Sequence, residues 1–179
     1  DVYKRQVPVS GAHSFSNGSG TITASGYGLW NFYEAGYFLN TPLYSDGTLT
    51  ARLDAFESMH PKSRLGLMVR QNKTSKSCFI EFALKREGTN LITFRNQQGD
   101  RPQEIHLPFL GNFVQISRNG STYFAGFSND GKKWVRKGPF YVDLGSAPMA
   151  GVVFHPMIDP KIPSDYGAVL ATESPRHAF

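Results

Sequence analysis

A chain of 179 residues with 40% hydrophobic and 13% aromatic side chains can bury a real core, and its length suits one all-β domain. Only 18% of residues are charged, against 18 glycines and 11 prolines, which argues for many turns and against long surface helices laced with ion pairs. The formal charge of +5 comes from 19 Lys and Arg dispersed in sequence, with no run longer than a pair such as Lys132-Lys133, so no nucleic-acid partner is expected; no apolar run approaches the length of a membrane span.

In chain order, Asp1 to Gln6 resembles the adapter remnants found at the ends of some metagenome-assembled bacterial sequences. Residues 1–9 are therefore read as a leader or remnant, and 10–179 as a single β-sandwich domain. Trp30, Phe32, Tyr33, Tyr37 and Phe38 form a dense aromatic cluster beside Glu34. From Asp46-Gly47 onward, Leu49, Ala51, Leu53 and Ala55 alternate with Thr48, Thr50, Arg52 and Asp54, the period-two pattern of a strand with one buried face. Arg64 to Arg70 repeats the pattern, with Leu65, Leu67 and Val69 on one face. Cys78 to Lys85 follows, then Leu91 to Arg95, with a polar stretch from Gln97 to Gln103.

Phe113 to Arg118 and Ser121 to Ser128 flank Asn119-Gly120, and Asn129-Asp130-Gly131 closes the second segment; Asn-Gly and Asp-Gly are strong hairpin signals because their turns require positive φ. Further short strands are expected at Phe140–Leu144, Met149–Phe154 and Ala168–Thr172. Between the last two, Pro156, Pro160 and Pro163 forbid a central strand and imply a long shaped loop. No segment carries a sustained apolar period near 3.6, so helix is expected to be minor. The fold class is all-β, a two-sheet antiparallel sandwich.

Chemistry is harder to read. The single cysteine, Cys78, excludes an internal disulfide and a Cys-based zinc site, and beside Phe79 and Ile80 it reads as a buried thiol. The five histidines have no metal-ligand spacing, and Asp46 and Asp130 belong to turns that Gly already explains. Asp159 and Asp165 are the better calcium candidates, but neither a metal nor a cofactor is expected. With Leu65, Leu67, Ile80 and Phe82 in the core, alternation turns Arg52, Arg70, Glu81 and Arg95 outward, onto a face that is concave in a jelly roll. Arg forks match carboxylates or vicinal hydroxyls, and Trp30, Tyr33 and His155 would stand at the rim, where flat rings stack on sugars. The competing interpretation is cross-strand ion pairs on the outside, aromatics in the core, and a His155 that orders its loop.

The Gly18 to Thr23 segment followed by Trp30, the Ser45 to Leu53 strand, Leu65 to Arg70, Ser128 to Trp134 and Ala150 to Val153 occur in an order that resembles the concanavalin A-like domain group. That group includes the regulation-of-enolase proteins and the C-terminal domains of some bacterial β-xylosidases. The resemblance, over about Gly18 to Val153, implies a jelly roll appended to glycan-active or cell-surface proteins, with no catalytic residues to carry over. The expected function is a non-catalytic carbohydrate-binding module, secreted or at the cell surface, free or fused to a larger glycan-active protein, with an acidic glycan among the candidates. One alternative is a glycoside hydrolase or polysaccharide lyase with a dispersed carboxylate pair, such as Glu81 with Glu34 or Asp165; another is a protein-interaction domain.

Overall fold

The computed structural model describes residues 12–24, 28–30, 33–57, 60–157 and 167–172. In chain order the strands are β1 (Ala12–Ser16), β2 (Ser19–Ala24), β3 (Gly28–Trp30), β4 (Tyr33–Ala35), β5 (Tyr37–Pro42), β6 (Gly47–Glu57), β7 (Arg64–Arg70) and β8 (Phe79–Lys85). They continue with β9 (Asn90–Arg95), β10 (Gln103–Leu107), β11 (Phe113–Asn119), β12 (Thr122–Ser128), β13 (Val135–Tyr141), β14 (Met149–His155) and β15 (Gly167–Thr172). Among the described residues there is no helix, and every strand pairing is antiparallel.

The turns show why the chain folds back where it does. Asn17 (φ 52°) and Gly18 (φ 78°) both take positive φ between the paired residues Ser16 and Ser19, the geometry that matches strand twist. At the β11–β12 turn Asn119 is still a ladder residue, paired with Thr122, and only Gly120 (φ 59°) is left-handed. In the β12–β13 turn the Asp130 carboxylate accepts the Lys132 and Lys133 amides at 2.8 Å each. These amides, with the Ser128 hydroxyl, hold the acid at about 2, below its ordinary 3.8.

Two sheets stack. One runs β1-β2-β15-β6-β11-β12-β13, the other β10-β9-β8-β7-β14-β5, and β3-β4 is a separate hairpin beside β14. The core lies between the sheets: Leu49, Ala51 and Leu53 of β6, Val114 and Ile116 of β11 and Phe127 of β12 meet Leu65, Leu67, Ile80, Phe82, Ile92 and Phe154. Each large apolar side chain buried this way contributes roughly 1.5–3 kcal/mol. Cys78 joins this core, as its neighbours suggest, and burial pushes its thiol up.

Two strands differ from the sequence-based expectation. The segment expected at Phe140–Leu144 pairs instead as Val135–Tyr141, and Gln103–Leu107, which falls at the end of the polar stretch, forms β10. Both are edge strands, so neither presents the clean alternation of a half-buried strand.

Candidate functional site

The outer face of the six-stranded sheet carries a buried charge cluster. Across the ladder, His155, Arg64 and Lys85 are aligned in one row, while Met68, Glu81, Thr93 and Glu104 are aligned in another. Between the rows lie Gly66 and Ala83, whose small size leaves room for Arg64 to reach diagonally. A Cβ on Gly66 would come within 2.8 Å of Ala83 Cα and closer still to the Phe82 carbonyl oxygen.

Arg64 Nε donates to Glu81 Oε1 at 3.1 Å, with side chains 5% and 0% exposed. Arg64 Nη1 makes only a long contact, 3.5 Å, with Glu104 Oε1, and Nη2 is buried with no hydrogen-bond partner among the described residues. His155 Nε2 lies 3.4 Å from Glu81 Oε2, an ion-pair distance rather than a good hydrogen bond, so a protonated His155 acts on Glu81 mainly through charge. At the rim, Glu104 Oε2 is 3.4 Å from Nε2 of His106, whose side chain is 63% exposed. Burial alone would push the Glu81 carboxyl up, but Arg64 and His155 outweigh it and hold it at about 2, against an ordinary 4.5. Glu81 is therefore a fixed anion, an anchor for Arg64 rather than a proton donor.

The expected site residues part company here. Arg52 is on β6 of the other sheet, ion-paired with Asp54 and over the Phe113 ring, so it does not share a face with Glu81. Alternation sets the face of a strand, not the sheet it joins. Arg70 and Arg95 do share the Glu81 face, but they brace a loop. Arg70 donates to the Asn72 and Thr74 carbonyls at 2.7 Å each, and Arg95 to those of Ser75 and Ser77 at 2.8 and 3.1 Å. Arg95 also lies 5.2 Å over the Phe79 ring. His155 ends β14, buried and within the cluster, not out on the Pro-rich loop. The backbones of Trp30 and Tyr33 pair in the β3–β4 hairpin; their side chains, and Asp159 and Asp165, lie outside the described residues.

Arg64, Glu104 and His106 were not singled out from sequence. Arg64 has the same parity as Arg70 on β7, so its face was legible; Glu104 and His106 alternate with Ile105 and Leu107 in a strand too short and too polar to stand out. Among the described residues no group of three or more His, Cys, Asp or Glu is arranged to hold a metal ion, and no helix is long and apolar enough to cross a membrane.

No family model and no curated protein matches the chain. Among solved structures, a functionally unknown protein from Saccharomyces cerevisiae is similar, with a TM-score of 0.71 over 93% of this chain and 91% of that one. At 11% identity it shows the fold alone. An alginate lyase from Klebsiella pneumoniae (TM-score 0.41, 13% identity, 72% of this chain and 60% of that one) and the apo Crh5 transglycosylase (0.37, 10%, 92% and 72%) are more distant, too far for their activities to bear on this chain. The structure itself is an all-β antiparallel sandwich, and the yeast protein shares that fold.

Proposed function

We propose that this chain is a non-catalytic carbohydrate-binding module of the concanavalin A-like group it resembles, and that it takes its glycan on the outer face of the six-stranded sheet. The observation that carries this reading is the Arg64 guanidinium, whose Nε is fixed by Glu81 while, among the described residues, Nη2 has no partner and Nη1 only a long contact. A guanidinium held at one nitrogen keeps donors for a carboxylate or a pair of hydroxyls, and with Nη2 buried a ligand would approach from the side of Nη1 and the exposed Glu104. Glu104 and His106, exposed beside it, can accept from and donate to further hydroxyls.

Stability gives little reason to keep such a pair, since apolar replacements for buried ion pairs are often neutral or better. The same face already provides the apolar solution next door, where Met68, Phe79 and Val153 pack with Phe38. A strongly perturbed carboxylate beside an unsatisfied guanidinium is thus a candidate recognition site. Trp30 and Tyr33, on the hairpin beside the strand that carries His155, are the proposed stacking partners. The same reading makes the chain a secreted or surface-associated module, alone or within a larger glycan-processing protein.

One observation favours the catalytic rival: two carboxyl groups, Glu81 and Glu104, meet at Arg64. Glycoside hydrolysis needs one acid protonated and one ionised, and Glu81, held at about 2, is a poor proton donor at neutral pH. Glu81 could serve only as the ionised member, and with its side chain 0% exposed it cannot reach a scissile bond, so the pair fits binding better than hydrolysis.

The test is a glycan array carrying neutral and uronate-containing oligosaccharides, probed with the wild type, Arg64→Lys and His106→Ala. Arg64→Lys keeps a cation against Glu81 and removes only the fork. The expected result is selective binding, weakened at least about tenfold in both variants while thermal melting shows them folded. An array with no binder, or folded variants that bind like the wild type, would overturn the proposal.

A further inference from the structure

Lys132, Lys133, Arg136 and Lys137 lie at the β12–β13 turn and along β13, and all four are exposed. Dispersed as the cations are over the whole chain, these four fall within six residues, two in the turn that enters β13 and two on β13 itself, an outermost strand of the seven-stranded sheet. None makes a hydrogen bond or ion pair through its side chain with the described residues. Neither β13 nor its neighbour β12 contains an acid, and the nearby Asp130 is already engaged by backbone amides and Ser128.

Trp134 sits among these cations. A Cβ on Gly126 would lie 3.0 Å from Trp134 Cε3, so the half-buried indole rests on the sheet where β12 has no side chain. Arg136 pairs with Gly126 across the ladder, and Gln115, on the other side of Gly126, donates to the Thr50 hydroxyl at 3.0 Å. The result is a ring flush with the surface, flanked by cations and polar side chains.

Charged residues on an edge strand can serve only to block pairing with another chain. This edge is already blunted by Pro139 and by a register irregularity between Tyr123 and Ala125. Unpaired like charges in close succession also repel one another, which an edge guard does not require.

We infer that this edge is a binding strip for an anionic polysaccharide, one that carries sulfate or carboxylate groups along its length, separate from the Arg64 face. Two cations in the turn and two at adjacent positions of an edge strand put four positive charges within six residues, spread enough to meet several negative groups of a chain rather than a single ion. One flush indole suits the C–H face of a sugar, whereas single-stranded nucleic acid is usually held by successive stacking rings. The inference rests on the proposed function only in choosing polysaccharide over other polyanions.

The experiment measures binding of labelled heparin oligosaccharide, oligogalacturonate, neutral dextran oligomer and a single-stranded oligonucleotide of equal charge to the whole chain. The variants are the quadruple Lys132→Ser/Lys133→Ser/Arg136→Ser/Lys137→Ser, Trp134→Ala and Arg64→Lys. The expected result is binding of at least one anionic glycan that weakens steeply with salt and falls at least about tenfold in the quadruple variant. In Trp134→Ala affinity falls while the salt dependence stays. No anionic glycan bound, a quadruple variant that binds like the wild type, or an oligonucleotide bound more tightly than either anionic glycan would overturn it. Binding lost in the quadruple variant but kept in Arg64→Lys is the expected separation of the two surfaces and leaves the Arg64 reading to the glycan array; binding lost in Arg64→Lys but kept in the quadruple variant sinks this inference alone.

Discussion

On the outer face of the six-stranded sheet, Arg64 and Glu81 are 3.1 Å apart and almost fully buried, with His155 on the far side of the carboxylate. Along β13 of the other sheet, cations stand in water with no acid on their own strand or the next. In one the charge is desolvated and fixed by strand register; in the other, at an edge that solvent reaches on both faces, it is solvated and free. A charge of the first kind is strongly coupled to stability, and a ligand reaches it only by way of the exposed Glu104 and His106 beside it; one of the second kind meets directly what arrives from solution.

The largest way to break this contrast is Arg64→Ala, which leaves Glu81 as an uncompensated buried anion. It should lower the unfolding free energy by about 3–5 kcal/mol in a denaturant titration. Adding Glu81→Leu to an Arg64→Met background should restore much of that loss, and the resulting non-additivity measures the pair directly.

Acid should separate the surfaces next. Glu81 has a folded-state value below its unfolded one, so its contribution is present above the ordinary 4.5 and is lost as pH falls toward about 2. The wild type should lose about 3 kcal/mol of stability across that window, and acid titration of Glu81→Gln should show a much flatter slope there. A smaller effect is expected from Gly66→Ala. Its methyl would press on Ala83 and the Phe82 carbonyl oxygen, costing about 1–3 kcal/mol in denaturant unfolding and loosening amide protection where β7 meets β8. The quadruple serine variant at the β12–β13 turn and β13 should change stability least, within about 0.5 kcal/mol per site in the same titration.

The sandwich was legible because its central strands have one wet and one dry face, or polar punctuation between apolar runs; Leu49 to Leu53 and Leu65 to Val69 fall into the core as their alternation requires. Edge strands lack that contrast. Arg136, Lys137 and Pro139 hid β13, and Glu104 and His106 hid β10, because solvent reaches both of their faces. The charged site was half legible for a related reason. Parity turned Glu81, Arg70 and Arg95 outward correctly, but nothing local distinguishes an Arg that braces a loop from one that meets a carboxylate on the next strand. Arg70 reaches Asn72 and Thr74 within its own turn, whereas Arg64 reaches Glu81 across a pairing fixed only by the register of β7 and β8. Arg52 fails at a higher level still, since sheet membership depends on the path of the whole chain.

The most direct test of the central claim follows backbone amide resonances while an array-selected glycan is titrated into the protein. Saturable shifts are expected, concentrated at Gln103–Leu107, Arg64 and Thr93, and lost in Arg64→Lys. Shifts that avoid this face altogether, or that persist unchanged in Arg64→Lys, would contradict it.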